Sequence, residues 1–103
     1  MRVVISREKL LLVRTVECGR YVILRQVTRL NGRVLSRLSF HLGEKYQTSF
    51  SKVFTLEQAQ ALFKSAKLQS TLNMSDKEVE GLYQQLGELF PDPASYLTQA
   101  GSN

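Results

Sequence analysis

The chain has one cysteine, Cys18, one histidine, His41, and no tryptophan. A single cysteine cannot form an intrachain disulfide and gives no zinc-finger spacing, and a single histidine excludes a metal site built on two histidines. A Cys18–His41 catalytic pair can be drawn, but no neighbouring pattern argues for an activated thiol, so a turn cysteine and a sheet-surface histidine are the favoured interpretation. We therefore predict no bound metal and no cofactor.

Catalytic patterns are also missing. The acidic residues are scattered, with no pair indicated to share a cleft, and the glycine-rich phosphate loops of nucleotide-binding enzymes are absent. The sequence thus predicts a protein that is not an enzyme and has no small-molecule substrate.

Long apolar runs are lacking too. The longest apolar stretch, Leu10–Val13, has the length of a strand core, whereas a membrane span needs about 18 apolar residues. Since no basic-then-apolar leader opens the sequence either, we expect a soluble cytoplasmic protein without membrane attachment.

Charge is distributed unevenly along the 103 residues. Residues 1–54 carry 11 Lys or Arg and 3 Asp or Glu, a net charge of +8, whereas residues 55–103 carry 3 and 6, a net charge of −3. Such a basic half indicates a polyanionic partner and says little about the fold.

The composition changes near Phe54, from β-branched and aromatic residues to helix formers, which predicts an α+β domain. We expect an antiparallel meander of four to five strands followed by two amphipathic helices. One domain would span residues 1–90, with a basic sheet over 1–54 and helices over 55–90, and residues 91–103 would form a flexible C-terminal tail.

Asn31-Gly32 predicts a type I′ hairpin turn, because both central residues of that turn need a positive φ. The register that follows pairs Leu30 with Arg33 and Val22 with His41, and it divides the hairpin into two faces. The predicted core face carries Tyr21, Ile23, Val27, Val34, Leu38, Phe40 and Leu42, with Arg25 and Arg29 nearer the turn. The predicted solvent face carries Arg20, Gln26, Arg33, Arg37 and His41.

Three further strands are predicted at Arg2–Ile5, Lys9–Glu17 and Thr48–Phe54. The second adds Leu10, Leu12 and Val16 to the core face. Capping-box patterns at Thr55–Gln58 and Ser75–Glu78 predict the two helices. Their apolar stripes are Leu56, Ala59, Leu62, Phe63 and Ala66 in the first, and Val79, Leu82, Tyr83, Leu86 and Phe90 in the second.

The segment Gly19–Leu42 resembles the central hairpin of Pur-type repeats, in which a Gly-Arg-aromatic strand start leads through a glycine-containing turn to a Ser-Arg-Leu-Ser-like strand. Phe54–Phe63 is similar to the strand-to-helix junction of the same superfamily, which includes the Whirly proteins. The resemblance covers about half of the chain. It implies a four-stranded sheet with a helix, paired into a dimer, that binds single-stranded DNA or RNA across the sheet.

These observations together predict a non-enzymatic, homodimeric nucleic-acid-binding protein that prefers single strands. We expect Lys9, Arg20, Arg33 and Arg37 to contact phosphates, and Gln26 and His41 to reach bases. The alternative is a small protein–protein interaction or regulatory module that docks through a helix or an exposed strand edge.

Overall fold

The computed structural model describes the backbone of residues 8–101 and the side chains of residues 8–97. The sheet is a four-stranded antiparallel meander formed by β1 (Lys9–Cys18), β2 (Tyr21–Leu30), β3 (Arg33–Leu42) and β4 (Lys45–Ser51). It is followed by α1 (Leu56–Phe63), α2 (Ala66–Leu72), α3 (Asp76–Gln85), a 3₁₀ helix (Leu86–Leu89) and α4 (Ala94–Gly101). The predicted Arg2–Ile5 strand lies outside the described residues. Within residues 8–101, no helix has the length and apolar character of a membrane span.

The Asn31-Gly32 hairpin is confirmed. Asn31 has φ 52° and Gly32 has φ 81°, as a type I′ turn requires. Leu30 pairs with Arg33, and the predicted register continues along all ten residues of both strands to Tyr21 and Leu42. A two-residue turn thus fixes which side chains of β2 and β3 share a face.

The helices pack on one face of this sheet, which we call the helix side. Its core joins sheet residues such as Ile23, Leu38 and Phe40 to helix residues such as Phe63 and Leu86, all at most 2% exposed. The ring of Phe40 stands edge-on to that of Phe50, with centroids 5.8 Å apart, and lies 5.5 Å from that of Phe63. The opposite face carries no helix in the described part of the chain, and we call it the open face.

A β-bulge at Leu11 changes the face assignment at the start of β1. Leu12 pairs with Val27, as an unbroken strand would predict, but Leu10 pairs with Thr28 and Lys9 with Arg29. Because the bulge adds one residue, Leu10 lies on the open face, where it is 57% exposed. The prediction that Leu10 belongs to the core is therefore wrong, whereas Val16 is buried as expected.

The helical part is divided more finely than the two predicted helices. Both capping boxes are present, at Thr55–Gln58 and Ser75–Glu78. The first helical segment, however, breaks at Lys64 and Ser65 into α1 and α2, and Asn73 ends α2 in the left-handed conformation. Asn adopts the left-handed conformation at low cost, so Asn73 can end α2 two residues before Ser75, the N-cap of α3.

The helix α4 lies within residues 91–103, which we predicted to form a flexible tail. The Asp92 side chain accepts a hydrogen bond from the Ala94 backbone N–H at 3.1 Å, and the Tyr96 side chain is buried. Asp92-Pro93 is itself a helix-start signal, since it joins an N-cap residue to a proline with a helical φ. Pro91 and Pro93 therefore end one helical segment and begin another.

Arg25 is the largest fully buried side chain, 1% exposed, and lies in the helix-side core. Its Nη1 donates to the Leu89 carbonyl at 2.8 Å, its Nη2 to the Phe54 carbonyl at 3.4 Å, and its Nε to Ser36 Oγ at 3.4 Å. The guanidinium also lies 4.2 Å from the centre of the Phe90 ring. These contacts connect the middle of the sheet to both ends of the helical layer.

Candidate functional site

The open face presents alternate side chains of all four strands to solvent. Its central rows follow from the register: Val13, Gln26, Arg37 and Ser51 form one, and Thr15, Leu24, Ser39 and Ser49 form the next. Large apolar side chains are exposed among these polar residues, namely Leu10, Val13, Leu35 and Tyr46. The face is therefore mixed in character, with apolar side chains concentrated on β1 and cations on β3.

Among the described residues, the positive charge of the open face comes from two arginines. Arg33 and Arg37 both project from β3, four residues apart, which corresponds to about 13 Å along a strand. The register places Arg14, Arg25 and Arg29 on the helix side. The arginines of β1, β2 and β3 are therefore divided between the two faces.

Gln26 and Arg37 are direct cross-strand partners, and Ser51 continues their row on β4. Facing side chains in an antiparallel pair lie about 5 Å apart at Cβ, so an amide, a guanidinium and a hydroxyl can contact one extended ligand. The structure brings these two predicted site residues together.

His41 lies at the other end of the open face and meets an aromatic residue that we did not predict there. The His41 and Tyr46 rings stand edge-to-face with centroids 5.8 Å apart. Tyr46 is 57% exposed, and its hydroxyl donates to Ser49 Oγ at 3.0 Å. The Nε2 atom of His41 is buried and makes no hydrogen bond within the described residues. His41 therefore supports the Tyr46 ring from the side.

A second β-bulge determines the face of the sheet on which Tyr46 lies. Phe40 pairs with Thr48 but His41 pairs with Tyr46, so Gln47 is the extra residue of β4. Without it, Tyr46 would face the helix side. Bulges re-aim side chains in this way, but Tyr-Gln-Thr contains no glycine or proline that would have predicted one.

Lys9 and Arg20 are separate from the other predicted site residues. The Leu11 bulge turns Lys9 to the helix-side register, opposite Arg29. Arg20 lies in the turn between β1 and β2, where its guanidinium is 5.7 Å from the centre of the Tyr21 ring. It is therefore at the opposite end of the sheet from Arg33. Of the six predicted residues, the open face holds Gln26, Arg33, Arg37 and His41.

The open face offers cations, hydrogen-bonding groups and one exposed aromatic ring. Among the described residues, no three His, Cys, Asp or Glu side chains are grouped to hold a metal ion. No protein-family model, no curated protein and no solved structure matches the chain. The resemblance to Pur-type repeats therefore stays a prediction.

Proposed function

We propose that the protein binds single-stranded nucleic acid along β3 and β4 of the open face, without catalysing a reaction. The observation that carries this proposal is the placement of the exposed Tyr46 ring on the same face as Arg37 and Gln26. Single-strand-binding surfaces combine an aromatic ring that stacks on a base with cations that contact phosphates. We call this part of the surface the β3–β4 strip; it consists of Arg33, Arg37, His41, Tyr46, Ser49 and Ser51, together with Gln26 of the neighbouring β2.

The dimensions of the strip suit a short single strand. Arg33 and His41 are eight residues apart on β3, which is about 26 Å along a strand. Arg33 and Arg37 would contact phosphates, and Tyr46 would stack on a base near the other end. Lys9 and Arg20 have no part in this proposal, because neither side chain lies on the strip.

The test is fluorescence anisotropy with a labelled oligonucleotide, single-stranded or double-stranded, at about 50 and about 200 mM salt. We expect single strands to bind more tightly, with a log–log salt slope near −0.7 for each phosphate contacted. Substituting Arg33 and Arg37 together with alanine should flatten that slope by about one to two.

Tyr46→Ala separates stacking from charge. It should weaken binding by roughly 1–3 kcal/mol and leave the salt slope unchanged, since stacking releases no counterions. Lys64→Ala with Lys67→Ala serves as the control, because these two cations lie on the helical layer. No binding of the wild-type protein at low salt would refute the proposal, and so would an unchanged slope in the double arginine variant.

A second candidate function is docking to another protein. Leu10 and Val13 favour it, because they are 57% and 46% exposed and lie close together on the open face of β1. Exposed apolar side chains that are grouped, rather than scattered singly, mark interaction surfaces. Leu10 lines the same depression as Arg33 and Arg37, so protein docking there would compete with a nucleic acid at that end of the β3–β4 strip.

A further inference from the structure

A cavity of about 830 Å³ opens at the end of the β3–β4 strip, next to the Asn31-Gly32 turn. It forms where β4 stops at Ser51 while β3 continues to Arg33. Lys52 turns the chain out of the sheet with φ 65°, and its backbone N–H donates to the Ser36 carbonyl at 2.9 Å. The chain from Lys52 to Phe54 then forms one wall. Ligand sites typically measure about 300–1,000 Å³, so the cavity can hold a nucleotide.

The charged side chains that line the cavity are Arg33, Arg37, Lys52 and Glu8. Three cations and one acid give the lining a net charge of +2. A phosphodiester within a strand carries one negative charge, whereas a terminal phosphomonoester carries about −1.5 to −2 near neutral pH. The lining therefore matches a terminal phosphate better than an internal one.

The cavity also has apolar walls beside these charges. Leu35, between the two arginines on β3, is 44% exposed, and Phe54 is 39% exposed. A flat base or a sugar can contact such side chains while its phosphate meets the guanidinium groups, which bind phosphate in a bidentate manner. The lining also includes the polar residues Gln26, Thr28, Ser36 and Ser51 and the apolar residues Leu10 and Val34.

The position of the cavity favours the end of a strand. A single strand that runs along β3 from Tyr46 towards Arg33 leaves the sheet at the hairpin turn, and the Lys52–Phe54 segment stands beside its exit. We propose that this cavity binds the terminal phosphate of a single-stranded nucleic acid, with Arg33, Arg37 and Lys52 as its anion ligands. The inference rests on the proposed function of the strip.

The experiment compares one oligonucleotide sequence in three forms: with a 5′-phosphate, with a 3′-phosphate, and with hydroxyls at both ends. Each competes for the wild-type protein against an internally labelled strand at constant salt. One of the phosphorylated forms should bind at least about ten-fold more tightly than the hydroxyl form, since one charge-assisted hydrogen bond is worth roughly that factor.

Lys52→Gln tests the location of the phosphate. It keeps a polar side chain but removes the charge, so the affinity ratio between phosphorylated and hydroxyl ends should fall towards one. Lys64→Gln, on the helical layer, is the matched control and should keep the wild-type ratio.

The outcomes separate the two proposals. Equal binding of all three forms overturns the terminal-phosphate inference and leaves single-strand binding standing. A preference that Lys52→Gln does not reduce overturns it as well, because the phosphate then sits elsewhere. Failure of every form to bind at low salt overturns both the inference and the proposed function.

Discussion

The buried guanidinium of Arg25 forms its described hydrogen bonds with carbonyl and hydroxyl groups rather than with a carboxylate. Its partners are the Leu89 and Phe54 carbonyls, the Ser36 hydroxyl and the Tyr96 side chain. Leu89 ends the helical stretch that begins with α3, and the carbonyls at a helix C-terminus carry partial negative charge. Arg14, the cross-strand neighbour of Arg25, donates to the adjacent Glu88 carbonyl at 3.1 Å. The end of one helix thus receives two guanidinium groups.

The pKa of Arg25 reflects this environment. Burial lowers it from the ordinary value, because desolvation disfavours the charged form, and the hydrogen bond that Arg25 donates to the Tyr96 side chain raises it in part. Tyr96 belongs to α4, so the segment predicted as a tail contributes to holding the buried cation. The four-residue spacing of Arg25, Arg29, Arg33 and Arg37 gives no hint of these different environments.

We predict that Arg25→Met destabilises the fold strongly. Methionine fills much of the same volume but donates no hydrogen bond, and each buried acceptor left without a partner costs roughly 1–3 kcal/mol. Urea denaturation measures the effect. Arg14→Met is the matched control, because Arg14 contacts the same helix end from an exposed position and should cost less than about 1 kcal/mol. Equal losses in the two variants would contradict a special role for Arg25.

At the scale of elements, the hairpin and the capping boxes could be predicted from sequence because each depends on local chemistry. Asn31-Gly32 can adopt positive φ, which determined ten cross-strand pairs correctly. The bulges at Leu11 and Gln47 could not be predicted, since neither residue differs in type from ordinary strand residues. Each one reverses the face of the residues beyond it, and the errors at Lys9 and Leu10 follow from the first bulge. Tyr46 was missed because the predicted strand began at Thr48, whereas β4 begins at Lys45.

The capping box of α3 differs from that of α1 in its charge. Glu78 accepts from the Ser75 backbone N–H at 2.9 Å, whereas neutral Gln58 takes the equivalent position in α1. The pKa of Glu78 lies below its ordinary value of 4.5. The largest cause is the hydrogen bond from the Ser75 backbone, and the next is the hydrogen bond with the Ser75 side chain. A carboxylate whose pKa is lower in the folded state stabilises the fold above its unfolded pKa, and this stability is lost as pH falls through the folded value.

We therefore predict that Glu78→Gln reduces the acid sensitivity of the fold. The amide can still accept the capping hydrogen bond, as Gln58 does, but it has no proton to gain. Urea midpoints measured near pH 7 and near pH 3 should differ less in the variant than in the wild type. Glu80→Gln is the control, because that carboxylate contacts the Gln84 side chain rather than a helix N-terminus. The idea fails if both variants keep the wild-type difference.

The molecule as a whole is a two-layer slab with extents of 49 × 35 × 21 Å. Its thickness corresponds to one sheet and one layer of helices, so the second face of the sheet stays open in the described chain. The basic residues of the sheet are distributed over both faces, and the helical layer carries most of the acids. Composition gave the charge of each half, and the hairpin register predicted the faces of Arg25, Arg29, Arg33 and Arg37, but the bulge in β1 kept the face of Lys9 from being predicted.

We predict that two copies of the chain associate through Leu10 and Val13 on β1. Identical patches related by a two-fold axis bury each other, and this is the commonest symmetry of soluble oligomers. Light scattering coupled to size-exclusion chromatography should give twice the monomer mass of 11.7 kDa at about 50 μM protein. Such a dimer joins the outer strands and leaves the Tyr46 end of the β3–β4 strip of each copy accessible.

Val13→Glu is the variant that tests this arrangement. A carboxylate at the centre of the patch would be buried unpaired in the dimer but solvated in the monomer, so the variant should elute and scatter as a monomer. Ala61→Glu introduces the same charge on the exposed surface of α1 and should leave the dimer intact. If wild-type protein scatters as a monomer, the exposed residues of β1 do not mediate self-association. If Val13→Glu stays dimeric, the two copies meet through another surface.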